Sequence, residues 1–71
     1  YKMEALQISL AAARVNAKLT QDDVSRLLHV GKQTVVNWEK GKTVPSFITL
    51  SALSDLYGIS IDNIILPTKS T

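Results

Sequence analysis

Cysteine is absent from these 71 residues, histidine occurs once, and proline only twice. Without thiols, neither a disulfide nor a thiolate zinc site can staple the fold. His29 by itself holds no metal without help from carboxylates, so neither a metal nor a cofactor is expected. No apolar run approaches the ~20 residues of a membrane span. Lys2 and Glu4 precede a helix-period pattern rather than the continuous apolar block of a signal peptide. These absences favour a cytoplasmic chain with no membrane partner. Phosphate-cradling glycine loops are missing as well, and no small-molecule ligand is evident.

Enzymatic readings lack their parts. His29 has no cysteine to activate, and the serines sit in no recognisable nucleophile context. Asp22 and Asp23 are adjacent, but neighbouring helix positions diverge by ~100° and serve a helix N-terminus better than a paired-acid site. The expectation is a non-enzyme.

A chain this short forms one domain and buries only about 60% of its unfolded surface. Stability must come from tight helix packing, with dimerisation as a further source. The net charge of +2 permits nucleic-acid binding without implying it. Placement is more telling: Lys32, Lys40 and Lys42 fall within eleven residues whose only acid is Glu39.

The chain reads as five helices and no strand, an all-α fold over residues 1–66 with a polar tail over 67–71. Leu6, Leu10, Ala13 and Ala17 recur at i, i+4, i+7 and i+11, predicting a first helix from about Met3 to Asn16. Its alanines have the highest helix propensity and leave room for a neighbouring helix. Asn16 suits a left-handed C-terminal cap. Thr20 and Asp23 form a capping-box pattern for a second helix, whose expected buried stripe is Val24, Leu27 and Leu28. After a sharp corner at His29-Val30-Gly31, a third helix runs from Lys32 to about Lys40, and Gly41 ends it. Ser46 caps a fourth helix with Ile48, Leu50, Leu53, Leu56 and Tyr57 on its apolar face, stopped by Gly58. Ser60 caps an expected short fifth helix from Ile61 to Leu66.

The third helix carries the functional signal. Gln33, Val36, Asn37 and Lys40 stand at i, i+3, i+4 and i+7 and share one face. That face mixes amide, methyl and cation, as reading base edges between two phosphate backbones requires. Val35 and Trp38 point the other way, toward a core.

The segments Leu19-Thr20-Gln21, Gln33-Thr34-Val35, Trp38-Glu39-x-Gly41-Lys42 and Gly58-Ile59-Ser60-x-Asp62-x-Ile64 together resemble the phage repressor and Cro type of helix-turn-helix domain. The resemblance covers roughly Leu6 to Leu66. It implies a lambda-repressor-like five-helix fold with the helix-turn-helix at helices two and three. It also implies a transcriptional regulator that binds double-stranded DNA, at the nucleoid, as a homodimer at least on DNA. Lys32, Gln33, Val36 and Asn37 would project into the major groove. Gln21 is similar to a family glutamine that meets a phosphate and buttresses the recognition helix; Thr20, Thr34, Lys40 and Lys42 are further backbone-contact candidates. Arg14 and Glu39 match a structural ion pair between the first helix and the end of the recognition helix. His29 departs from the usual corner glycine and Gly31 from the usual serine or threonine cap.

Ile61, Ile64, Ile65 and Leu66 offer more aliphatic surface than a short terminal helix needs, and are expected either to contribute to self-association or to close the core. Two alternatives remain at this level. An antitoxin or restriction-modification controller uses the same domain. A helical protein-interaction module would need an apolar third-helix face, where Lys32, Gln33, Asn37 and Lys40 stand instead.

Overall fold

The computed structural model describes residues 7–67. Lys2, Glu4 and the expected helix start at Met3 and Leu6 lie outside these residues, as do positions 68–71 of the expected tail. Among the described residues there are four α-helices: α1 (Leu10–Asn16), α2 (Gln21–Leu28), α3 (Lys32–Lys40) and α4 (Phe47–Tyr57). A two-residue strand β1 (Ile8–Ser9) precedes them, and a 3₁₀ turn (Ile61–Asn63) and a second short strand β2 (Ile64–Ile65) follow.

The five-helix expectation is therefore corrected at both ends. The Ser9 hydroxyl accepts from the Ala12 N–H at 3.0 Å and caps α1 there, so Ile8 and Ser9 remain extended. They pair in parallel with Ile64 and Ile65. The Ser60 hydroxyl accepts from the Asp62 N–H at 3.3 Å and organises a single turn. The two isoleucines after it are β-branched, stiff at χ1 and favourable in extended backbone. The ladder joins segments more than fifty residues apart, so no local periodicity discloses it.

Every α-helix ends in the same way. A left-handed residue follows the last turn, and the next N–H reaches back five residues to a helix carbonyl. The left-handed residues are Lys18, His29, Gly41 and Gly58. The returning bonds run from Leu19 to Arg14 (3.2 Å), Val30 to Ser25 (3.0 Å), Lys42 to Asn37 (2.9 Å) and Ile59 to Ser54 (3.1 Å). This is the Schellman arrangement, which satisfies the otherwise orphaned last carbonyls. Leu19, Val30 and Ile59 then turn inward onto the core. At the end of α1 the left-handed residue is Lys18, not the expected Asn16, which stays helical. After α2 and α4, a serine hydroxyl reinforces the turn: Ser25 donates to the Val30 carbonyl at 2.6 Å, and Ser54 donates to that of Ile59.

Leu10, Ala13, Val24, Val35, Trp38, Leu53 and Tyr57 form the core. Ala13 is wholly buried, and α1 rests against both α3 and α4. Leu27 does not belong to the buried stripe of α2. It lies ~60° from Val24 on the side away from Leu28 and is more than half exposed. Ile48, ~140° around α4 from Leu53, is also outside its expected apolar face, and is 82% exposed. Pro67, expected to begin a frayed tail, packs against Gly41 instead.

These contacts separate two glycines of like conformation. A Cβ on Gly41 (φ +81°) would stand 3.0 Å from Pro67 Cβ and 3.2 Å from Cγ, whereas one on Gly58 (φ +68°) meets nothing within 4 Å. We expect Gly58→Ala to cost the left-handed penalty of about 1 kcal/mol. Gly41→Ala should cost measurably more, because the proline ring must also move. Urea denaturation of the two variants checks the order.

Candidate nucleic-acid interface

The second helix begins with a complete capping box. The Thr20 hydroxyl accepts from the Asp23 N–H at 3.0 Å, and the Thr20 N–H donates to the Asp23 carboxylate at 2.8 Å. That backbone N–H, then the Thr20 hydroxyl, hold the Asp23 carboxyl below the usual carboxylate range, with Arg26 assisting. Thr20 is thus engaged as a helix cap. His29 (φ 57°, ψ 44°) turns the chain, and Gly31 caps α3 without any side-chain hydrogen bond. The exchange of the usual hydroxyl for glycine leaves the start of α3 held by backbone alone.

Buried Val35 and Trp38 anchor α3 to the core. The opposite face carries exposed Gln33 and Lys40 with half-buried Val36 and Asn37, and exposed Lys32 flanks it; half-buried Thr34 lies ~40° from Trp38, on the core side. The structure thus brings the four expected base-reading residues onto one surface, with Lys40 at its far end and exposed Lys42 just beyond. Two contacts on this face escaped sequence reasoning. Gln33 donates its amide N–H to the Asn37 carbonyl oxygen at 3.0 Å. The Lys32 ammonium lies 3.7 Å from the Asp22 carboxylate of α2, both well exposed. The i,i+4 amide spacing was the available signal for the first; the second crosses the corner between helices and has no local signal.

Behind this face sits a polar clamp. Arg14 Nε donates to Glu39 Oε2 at 2.7 Å, and a second guanidinium nitrogen donates to Oε1 at 3.3 Å. The third donates to the Leu19 carbonyl at 3.0 Å. Gln21 donates to the same Glu39 Oε1 at 2.9 Å. One carboxylate at the end of α3 therefore ties together α1, the turn after it and the first residue of α2. Only 14% of the Arg14 side chain and 8% of that of Glu39 is exposed. The hydrogen bond from Arg14 to Glu39 raises the guanidinium pKa further, against the opposing effect of burial. Gln21 Nε2 carries two hydrogens, so its bond to Glu39 leaves a second N–H for another acceptor. Tyr57 abuts this clamp, and burial first, then the Glu39 charge, pushes its phenol up to about 12.

The expected self-association residues are spread between core and surface. Ile64 and Leu66 pack against the core, Ile61 is half-buried, and Ile65 remains 46% exposed. Among the described residues no helix is long and apolar enough to cross a membrane, and no three His, Asp or Glu side chains group as a metal site.

A model of the helix-turn-helix family matches residues 10–64, most of the chain. The chain belongs to the helix-turn-helix family. Its curated relatives in that family include the HTH-type transcriptional activator BcrR of Enterococcus faecalis, 29% identical over 79% of this chain. An uncharacterized HTH-type transcriptional regulator of Methanocaldococcus jannaschii is 35% identical over 68% of it. The cryptic phage CTXphi transcriptional repressor RstR of Vibrio cholerae is 35% identical over 80%. The matched region spans 28% of BcrR, 73% of the archaeal regulator and 51% of RstR. Within this helix-turn-helix domain α2 and α3 are the paired helices, sharing its most extensive contact.

Two outcomes test the clamp and its neighbour. Arg14→Met should cost about 3 kcal/mol, because it leaves a buried carboxylate with one amide partner, and adding Glu39→Met should recover most of the loss. Urea denaturation of the single and double variants measures both. The folded state keeps Tyr57 protonated to about 12, while the unfolded chain releases that proton near the ordinary 10.0. The Tyr57 contribution is therefore intact below about pH 10 and is lost as pH rises through about 12. Tyr57→Phe should flatten that alkaline decline, measured by urea denaturation across the interval.

Proposed function

We propose that this domain regulates transcription by sequence-specific binding to double-stranded DNA, with α3 in the major groove. The observation that carries the reading is the division of α3 into two faces. Val35 and Trp38 are spent on the core, Glu39 on the clamp, and Gln33, Val36, Asn37 and Lys40 are left for a partner. A protein-docking helix would present apolar side chains there. Family membership and relatives named as transcriptional regulators support the same conclusion.

The Gln33–Asn37 bond divides the reading between them. Gln33 keeps its carbonyl and one N–H, the pair that meets adenine N6 and N7. Asn37, its carbonyl already accepting, offers N–H donors to guanine O6 and N7 or thymine O4. Val36 supplies a methyl surface for thymine. Lys32, on leaving Asp22, donates to guanine. Gln21 through its second N–H, Thr20, Thr34, Lys40 and Lys42 meet phosphates and set the register without reading sequence. One such helix reads few base pairs, so two copies bind half-sites about 34 Å apart. Occupancy then blocks or recruits polymerase; the relatives carry both signs in their names, an activator and a repressor.

Selection from a random duplex pool tests this. Wild type should recover a palindrome with half-sites about one turn apart, and Gln33→Ala/Asn37→Ala should lose it. With ~8 phosphates neutralised, the log–log salt slope of affinity should lie near −7. Binding without a consensus, equal in the double variant, would sink the sequence-reading role of α3.

A further inference from the structure

The charges around the helix-turn-helix do not cancel, and the remainder lies on three residues. Between Gln7 and Lys42 the chain carries six lysine and arginine cations and three acids. All three acids are in ion pairs: Glu39 with Arg14, Asp23 with Arg26 and Asp22 with Lys32. Lys18, Lys40 and Lys42 are left over. Each is exposed, and among the described residues none has a carboxylate within ion-pair distance. Lys40 and Lys42 already belong to the proposed phosphate contacts; Lys18 does not.

The clamp gathers Lys18 with the other two. The Arg14 guanidinium holds the Leu19 carbonyl at 3.0 Å with one nitrogen and the Glu39 carboxylate with the other two. Lys18 precedes Leu19 and Lys40 follows Glu39, so both lysines adjoin groups bound to a single side chain. Gln21, with a second N–H available for a phosphate, ends on the same carboxylate. The backbone at Lys18 is left-handed, φ 63°, a conformation that glycine adopts most readily. Leu19, not Lys18, supplies the inward apolar contact of that turn. What Lys18 adds there is an unpaired charge.

We propose that Lys18 is a phosphate-contact residue of the DNA interface, one of a set with Lys40 and Lys42. The inference rests on the DNA-binding reading above and extends its contact surface to the turn between α1 and α2. The ligand is a phosphodiester of the duplex backbone, so the contact adds affinity without reading sequence. An ammonium meets such a group as a point charge on a flexible stem, which suits a side chain carried on a turn.

Affinity is measured against salt on the selected duplex and on a scrambled one. Lys18→Gly should bind both ~15-fold more weakly than wild type at about 50 mM salt and ~4-fold at about 200 mM, a log–log slope shallower by about 0.9. Lys18→Arg should keep the wild-type slope. His29→Gly makes the same backbone change at the other non-glycine left-handed corner and is the control. At about pH 8, where an imidazole in water is uncharged, it should leave the slope unchanged. Urea midpoints at or above wild type in both glycine variants show that the fold is intact. Single methylphosphonate linkages placed in turn along the selected duplex then locate the contact. One linkage in each half-site should weaken wild type and leave Lys18→Gly unaffected. An unchanged slope in Lys18→Gly, or the same methylphosphonate pattern in both proteins, overturns the proposal. The salt series needs binding but no consensus, so it decides Lys18 even if α3 reads no sequence. A wild type that binds no duplex overturns the contact together with the DNA reading.

Discussion

The Glu39 carboxylate is the constraint on which the geometry of this domain depends. It stands near the end of α3 and receives hydrogen bonds from Arg14 of α1 and Gln21 of α2. The guanidinium also holds the Leu19 carbonyl, in the turn that joins α1 to α2. Apolar packing at Val35 and Trp38 presses α3 inward, but dispersion has little directionality and tolerates rotation about the helix axis. A planar two-pronged pair does not. The clamp therefore sets the angle at which Gln33, Val36 and Asn37 leave the body of the domain, even though none of these residues touches it. Its contribution to net stability is small beside that directional effect, because desolvating two charges offsets much of their attraction.

A domain of this size reaches its stability by economy at the helix ends. Four helices of 7 to 11 residues are too short to persist alone. Each is closed by a left-handed residue, and three of the four closures send an aliphatic side chain back to the core. Lys18 and His29 occupy conformations that cost an L-residue about 1 kcal/mol or more, which glycine at positions 41 and 58 avoids. Retaining lysine and histidine there places bulk and polarity at corners that glycine would leave bare.

The exposed face of α3 is partly arranged by its own side-chain contacts. Its two amides are bonded to each other, and Lys32 is paired across the corner with Asp22. These are exposed contacts of small net energy. Their effect is orientational: one amide is turned so that a donor and an acceptor remain together, and the other so that donors dominate. In the proposed complex DNA displaces the Lys32 pair and keeps the amide bond.

Much of this was legible locally. The capping box at Thr20, the stop at Gly41, the sharp corner at His29-Val30-Gly31 and the two faces of α3 follow from short-range rules on propensity, hydrogen bonding and the 3.6-residue period. Such rules act within a turn or two and survive in any surroundings. They failed where distant segments compete for the same backbone. Ile64 and Ile65 are helix or strand by their neighbours alone; pairing with Ile8 and Ser9 makes them extended. Leu27 and Ile48 carry core chemistry at positions that the packing of α2 and α4 turns outward. The sequence by itself determined the helices, their corners and which residues α3 offers. Only the tertiary structure decided the ladder at the ends, the bond from Gln21 to Glu39 and the outward placing of Leu27 and Ile48, because each depends on which surfaces meet across the fold.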